Sequence, residues 1–213
     1  MKRLFLVAAL VGCLAVPALA DLSTHPLVGA PGSLLSGSVH FTPIGPSTLD
    51  VDVDFAVWTP GTFSGVTLLP VPFAPFFSPA EYVYAYQVHN LPASHALTTF
   101  GIDSAGGSLT GLAYDPDFDP AVSDVAPYAG SIFVGTPDFA EFYFSAIPAP
   151  GFSTVLLMSS PLAPAFASAS VINLGQTAAG TLPSPVPGPA AVVLGTLGLG
   201  LVGWLKKRYI QGA

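Results

Sequence analysis

Apolar and acidic residues alternate one for one from Leu49 to Phe55 in the run Leu49-Asp50-Val51-Asp52-Val53-Asp54-Phe55-Ala56-Val57. A period of two is the repeat of a β-strand, which sends one row of side chains into a core and the other into water. Residues Glu81 to Leu91 repeat the pattern with rings, placing Tyr82, Tyr84, Tyr86 and Val88 on one face. Shorter runs rich in β-branched and aromatic residues cover Leu35 to Phe41, Leu97 to Ile102, Ser108 to Tyr114, Ser131 to Val134, Phe139 to Ile147 and Thr154 to Met158.

Between these runs the 23 prolines and 22 glycines act as punctuation, and no long stretch carries the 3.6-residue repeat of an amphipathic helix. About eight short strands separated by turn residues predict an all-β fold, a β-sandwich of the immunoglobulin-like or jelly-roll-like kind. Phe73 to Pro79 is apolar but carries Pro75 and Pro79, so it is expected as a loop packed on the sandwich or lining its rim.

Two apolar runs lack this alternation, and both lie at the ends. Leu4 to Val16 follows the basic Lys2-Arg3 and is followed by Pro17-Ala18-Leu19-Ala20, a small-x-small ending before Asp21. This is the layout of a secretory signal peptide over residues 1 to 20, since an apolar run of 13 residues falls short of the roughly 20 that a bilayer-spanning helix needs. Leu10-Val11-Gly12-Cys13 also resembles a lipobox, which leaves lipidation of Cys13 as the competing reading. At the other end Ala190 to Leu205 is an uncharged run of 16 residues, about 24 Å as a helix at about 1.5 Å per residue. Trp204 and snorkelling basic side chains make up the remaining thickness. Lys206, Lys207 and Arg208 follow at once as a membrane-stop signal that stays cytoplasmic, leaving the body outside. Within the run, Gly198-Leu199-Gly200-Leu201-Val202-Gly203 matches a dinucleotide-binding fingerprint only in letters, because no βαβ unit surrounds it.

Charge sharpens this division. All five basic residues sit in the two terminal signals, whereas the interval from Asp21 to Leu205 holds all twelve acids, a formal charge of −12. Such a body repels phosphate backbones, which excludes nucleic acid as a partner. Cys13 is the sole cysteine, so a body beginning at Asp21 relies on packing and backbone pairing rather than disulfides.

Val186-Pro187-Gly188-Pro189 lies between the Pro/Ser/Thr spacer Thr181-Leu182-Pro183-Ser184-Pro185 and the apolar run. A proline-flanked motif, a short Gly/Leu-rich helix and a basic tail in that order resemble the PEP-CTERM sorting signal of exopolysaccharide-producing Gram-negative bacteria, over residues 185 to 208. Pro187 and Pro189 match the motif, while Gly188 stands where the family has glutamate. The resemblance implies export, membrane anchoring, processing by an exosortase-type enzyme, and delivery to the cell surface or extracellular matrix. The resulting layout is signal peptide 1–20, β-sandwich 21–180, Pro-rich linker with sorting motif 181–189, transmembrane helix 190–205 and basic cytoplasmic tail 206–213.

Candidate chemistry in the body is sparse. Asp115-Pro116-Asp117-Phe118-Asp119, with Asp124 beyond, is the densest oxygen cluster, and Asp115, Asp117 and Asp119 are the candidate ligands for a calcium ion. The alternative is a solvated acidic loop with no cofactor. Asp50, Asp52 and Asp54 form a row at about 7 Å intervals, facing water or a cation. His25, His40, His89 and His95 show no metal-ligand spacing. There is no G-x-S-x-G elbow, and Glu81 and Glu141 are the remaining candidates for a glycosidase pair. The expectation is therefore a non-enzymatic surface or matrix protein with no catalytic residues. A carbohydrate-binding module stacking extracellular polysaccharide on Trp58 or the tyrosine row is the alternative, and a glycoside hydrolase the more distant one.

Overall fold

The computed structural model describes residues 27–64, 68–104, 109–116, 124–134 and 138–186. Among the described residues twelve strands run in chain order: β1 (Leu35–Ile44), β2 (Val51–Trp58), β3 (Leu69–Pro70), β4 (Tyr82–Asn90), β5 (Leu97–Ser104), β6 (Gly111–Asp115), β7 (Ala129–Phe133), β8 (Asp138–Ile147), β9 (Gly151–Phe152), β10 (Val155–Ser160), β11 (Pro164–Asn173) and β12 (Gln176–Pro185). They form one curled antiparallel sheet in the order β3-β6-β10-β4-β2-β1-β12-β11-β5-β8-β7, with β9 added beside β4. Each run anticipated from alternation contains a strand, and the fold is all-β as expected.

The curl is made by β1. Its first part pairs with β2 from Leu35↔Val57 to Phe41↔Val51, and its last three residues pair with β12 from Thr42↔Ala179 to Ile44↔Thr177. The strand thus changes neighbours between Phe41 and Thr42, and the two halves of the sheet fold toward each other across that crease. Pro43 is tolerated because its segment pairs only with β12. Phe41 is fully buried beside Gly180 of β12, where a Cβ would stand 2.6 Å from Phe41 Cδ1.

The main core fills the space between the halves. Val53, Phe55, Tyr84, Tyr86 and Leu156 come from one side, and Phe100, Ile102, Phe142, Val171 and Leu182 from the other. Tyr86 packs on Phe100 at a ring separation of 5.6 Å, and Phe100 stacks on Phe142 at 6.3 Å. Both buried tyrosines also donate hydrogen bonds across the fold, Tyr84 to the Leu162 carbonyl at 2.7 Å and Tyr86 to the Pro183 carbonyl at 2.5 Å.

The segment Val71 to Phe77 closes the side opposite the crease. The Leu112 amide of β6 donates to the Pro75 carbonyl and the Gly130 amide of β7 to the Pro72 carbonyl, each at 3.2 Å, so this strap joins the two outer regions of the sheet. Glycine is required at both contacts, since a Cβ on Gly111 would lie 2.0 Å from the Phe76 carbonyl oxygen and one on Gly130 would lie 2.7 Å from Val71 Cγ1.

Three expectations change. The acidic row of β2 does not all face water, because Asp54 is fully buried. Residues 181–185 are not spacer but the second half of β12, paired with β11 through Thr181↔Ser168 to Pro185↔Pro164. The hairpin of β11 and β12 was not anticipated at all, nor were the short β3 and β9. Pro183 and Pro185 fit because β1 no longer flanks β12 beyond Ala179.

Replacing Gly180 with Ala is expected to cost about 1–3 kcal/mol by overpacking against Phe41. Urea unfolding checks this, and Gly180→Ala combined with Phe41→Leu should recover part of the loss. A pH prediction follows from Tyr84 and Tyr86, whose burial pushes both phenols well above their ordinary value near 10. Their contribution is fully present below pH 10 and declines as the pH rises past that value, because the unfolded chain releases phenolic protons that the fold retains. The slope is expected to steepen through pH 10 toward a limit of about 1.4 kcal/mol per pH unit for each tyrosine, read from urea midpoints between pH 9 and 11 and reduced in Tyr86→Phe.

Candidate functional site

The outward face of the first half-sheet, β6-β10-β4-β2-β1, is divided in two. One part is apolar, with Ala56, Trp58, Val83, Ala85, Ala113 and Leu157 buried under Leu27, Ala30, Phe63, Leu68 and Phe77. This second cover explains why β4 and β10 are buried along both faces.

The other part is polar. His40, Asp52 and His89 are successive cross-strand partners on β1, β2 and β4. His40 Nδ1 lies 2.8 Å from Asp52 Oδ1, and its Nε2 lies 3.8 Å from Asp50 Oδ1. Deeper in, His89 Nε2 lies 3.3 Å from Asp54 Oδ2, both side chains being buried. The ring of Phe152 covers His89 edge-on at 4.6 Å. Gln87 donates from Nε2 to the Ser153 carbonyl at 3.1 Å and reaches Asp124 Oδ2 at 3.5 Å. Asn90 donates to the carbonyls of His95 and Ile147, each at 2.9 Å, which ties two connections to the end of β4.

In a body without lysine or arginine, histidines take the place of basic partners for the acidic row. The exposed His40 pair is worth little, about 0–1 kcal/mol for surface ion pairs. The Asp54–His89 pair differs because desolvation makes each partner dependent on the other. The sequence hint lay in position: His40 and His89 sit on strands flanking β2, but only the register shows them opposite the aspartates.

The other anticipated residues are scattered. Asp115 is buried at the end of β6, while Asp117 and Asp119 lie outside the described residues. Among the described residues no group of three or more His, Cys, Asp or Glu side chains is arranged to hold a metal ion. Glu81 accepts a 2.5 Å hydrogen bond from Thr110 at the start of β4, and Glu141 accepts one from Tyr143 on β8. They therefore belong to different halves of the sheet with separate partners. Tyr143 is raised above the ordinary phenol range by desolvation, reinforced by that bond to Glu141. Pro187, Gly188 and Pro189, the run 190–205, and Lys206, Lys207 and Arg208 all lie outside the described residues, as do residues 1–26. The described residues contain no helix long and apolar enough to cross a membrane.

The rings proposed for sugar stacking belong to the interior. Tyr84, Tyr86 and Trp58 are buried, Tyr82 packs partly buried against the core, and Trp58 donates from Nε1 to the Pro31 carbonyl at 3.2 Å. Exposed rings lie elsewhere, among them Phe73 and Phe76 on the strap, 95% and 90% exposed. Beside Phe76 lies a shallow apolar groove of about 220 Å³ lined by Leu68, Leu69, Phe77 and Ala113.

Comparison with protein-family models, with curated proteins and with solved structures finds no match in any of the three.

Asp54→Ala is expected to lower stability by more than about 1 kcal/mol, because it removes a fully buried polar side chain beside the buried His89. Asp52→Ala, which removes only a surface contact, should stay within about 1 kcal/mol. Urea unfolding of the two variants side by side checks the contrast.

Proposed function

We propose that this chain is a non-enzymatic, exported surface or matrix protein, held at the membrane by its C-terminal apolar run and released from it by an exosortase-type processing enzyme. The observation that carries this reading is the order of parts after β12. The strand ends at Pro185, the proline-flanked Pro187-Gly188-Pro189 begins two residues later, and the 16-residue apolar run and basic tail follow without interruption. The charge map supports it, because the only basic residues border the two terminal apolar runs. The folded body then serves as cargo, and its charge suits a cation-bridged polysaccharide matrix. In this reading the curled sheet is a β-sandwich whose layers are its two halves, a description supported by the shared core between them.

The extent of β12 decides how the test is built. A deletion starting at Thr181 would remove half of a strand and confuse unfolding with loss of anchoring, so the truncation starts at Pro187. Loss of residues 187–213 is expected to move the protein from the membrane fraction to the soluble fraction while leaving its thermal transition in place. The intact mass of the mature wild-type protein should correspond to a chain beginning at Asp21 and ending near Pro187. Unchanged fractionation of the truncated chain would refute anchoring, and a mature mass that includes Arg208 would refute processing.

A further inference from the structure

The sheet has two unlike ends. At one, Pro185 of β12 pairs with Pro164 of β11. The register carries this end across the second half-sheet to Ser104↔Asp138 and Phe139↔Phe133. The short connection from Ser160 to Pro164 brings the end of β10 to the same place. Beside it lie the start of β4 at Tyr82, the end of β2 at Trp58 and the start of β1 at Leu35. This rim exposes Leu34, Phe133, Val134 (78%) and Phe166 (64%). Glu81, Asp103 and Asp138 also lie at this rim.

The opposite end carries more of the acids and exposes Ile44, Tyr128 and Leu174. It carries Asp50 and Asp52 at the start of β2, Asp115 at the end of β6, Asp124 beside Gln87, and the Leu174-Gly175 turn. The ten residues of β11 separate the two ends, about 33 Å at about 3.3 Å per residue.

Chain length relates this polarity to a membrane. From Pro185 to Ala190, where the apolar run begins, the chain advances five residues, at most about 18 Å even when fully extended. Bilayer headgroups occupy about 5–7 Å on each side of the hydrocarbon. A helix entering the bilayer at Ala190 therefore keeps the Pro185 rim within about 13 Å of the headgroup surface.

On these grounds, and resting on the membrane attachment proposed above, we infer that the rim formed by Leu34, Phe133, Val134 and Phe166 seats on the bilayer surface. The partner is lipid, and the opposite end faces outward. Apolar side chains at this rim enter the headgroup layer, as those of interfacial segments do. The anchor thereby fixes the orientation of the domain as well as its location.

The test uses the full chain carrying Cys13→Ser, so that an introduced cysteine is its only one. Single cysteines at Val134, Phe166 and the far-end Leu174 are labelled with an environment-sensitive fluorophore, and each chain is reconstituted in phosphatidylcholine vesicles containing a lipid quencher placed just below the headgroups. Labels at Val134 and Phe166 are expected to be quenched about two-fold or more, and the label at Leu174 to remain as in quencher-free vesicles. A label at Leu34, on the other half of the sheet, supplies an independent rim site should a label disturb β7 or β11. Vesicle-retained chain whose rim labels are unquenched, or quenched no more than the label at Leu174, overturns the seating and leaves anchoring intact. Chain that does not stay with the vesicles overturns the anchoring reading itself, and this proposal with it.

Discussion

Everything in this fold depends on one strand changing partners. Because β1 leaves β2 at Phe41 and takes up β12 at Thr42, a single continuous sheet can enclose its own core. Phe41 lies against Gly180 at this crease, where no side chain on position 180 would fit. Across from it, the strap from Val71 to Phe77 holds the outer regions together through backbone bonds to β6 and β7. Crease and strap act as opposite seams, and the Tyr86-Phe100-Phe142 stack fills the space between them.

That enclosure determines how the acids are arranged. The first half-sheet is covered on both faces, so a position that alternation assigns to water is buried at Asp54, with His89 beside it. Exposed apolar side chains, Val134 and Phe166 among them, line the end from which β12 departs.

Strands carrying β-branched or aromatic residues were legible because the period-two signal comes from the burial that stabilises them. β11 and β12 escaped notice for a physical reason: small and turn-type residues, alanine, serine, threonine and proline, fill most of PAFASASVIN and QTAAGTLPSP. Such residues contribute little apolar area, and these strands are held by ten consecutive pairs with each other and by neighbours on their outer edges. Their turn was disguised too, since Leu174 and Gly175 both have positive φ and asparagine is the usual first residue of such a turn. For the candidate site, the aspartate row and the histidines were visible as residue types. Their pairing depends on His40 and His89 standing beside β2, which only strand order can show.

The place of β12 also bears on how the domain carries load. It is the last of the described strands, and its first part, as far as Ala179, lies inside the sheet between β1 and β11. A pull applied at Pro185 and directed away from the fold acts along the strand axis. All the hydrogen bonds between β12 and β11 then share the force in shear, rather than opening one after another as a peeled edge strand would. Extraction must break them together and also drag Gly180 past the ring of Phe41. A fold pulled by this end resists being unravelled from it.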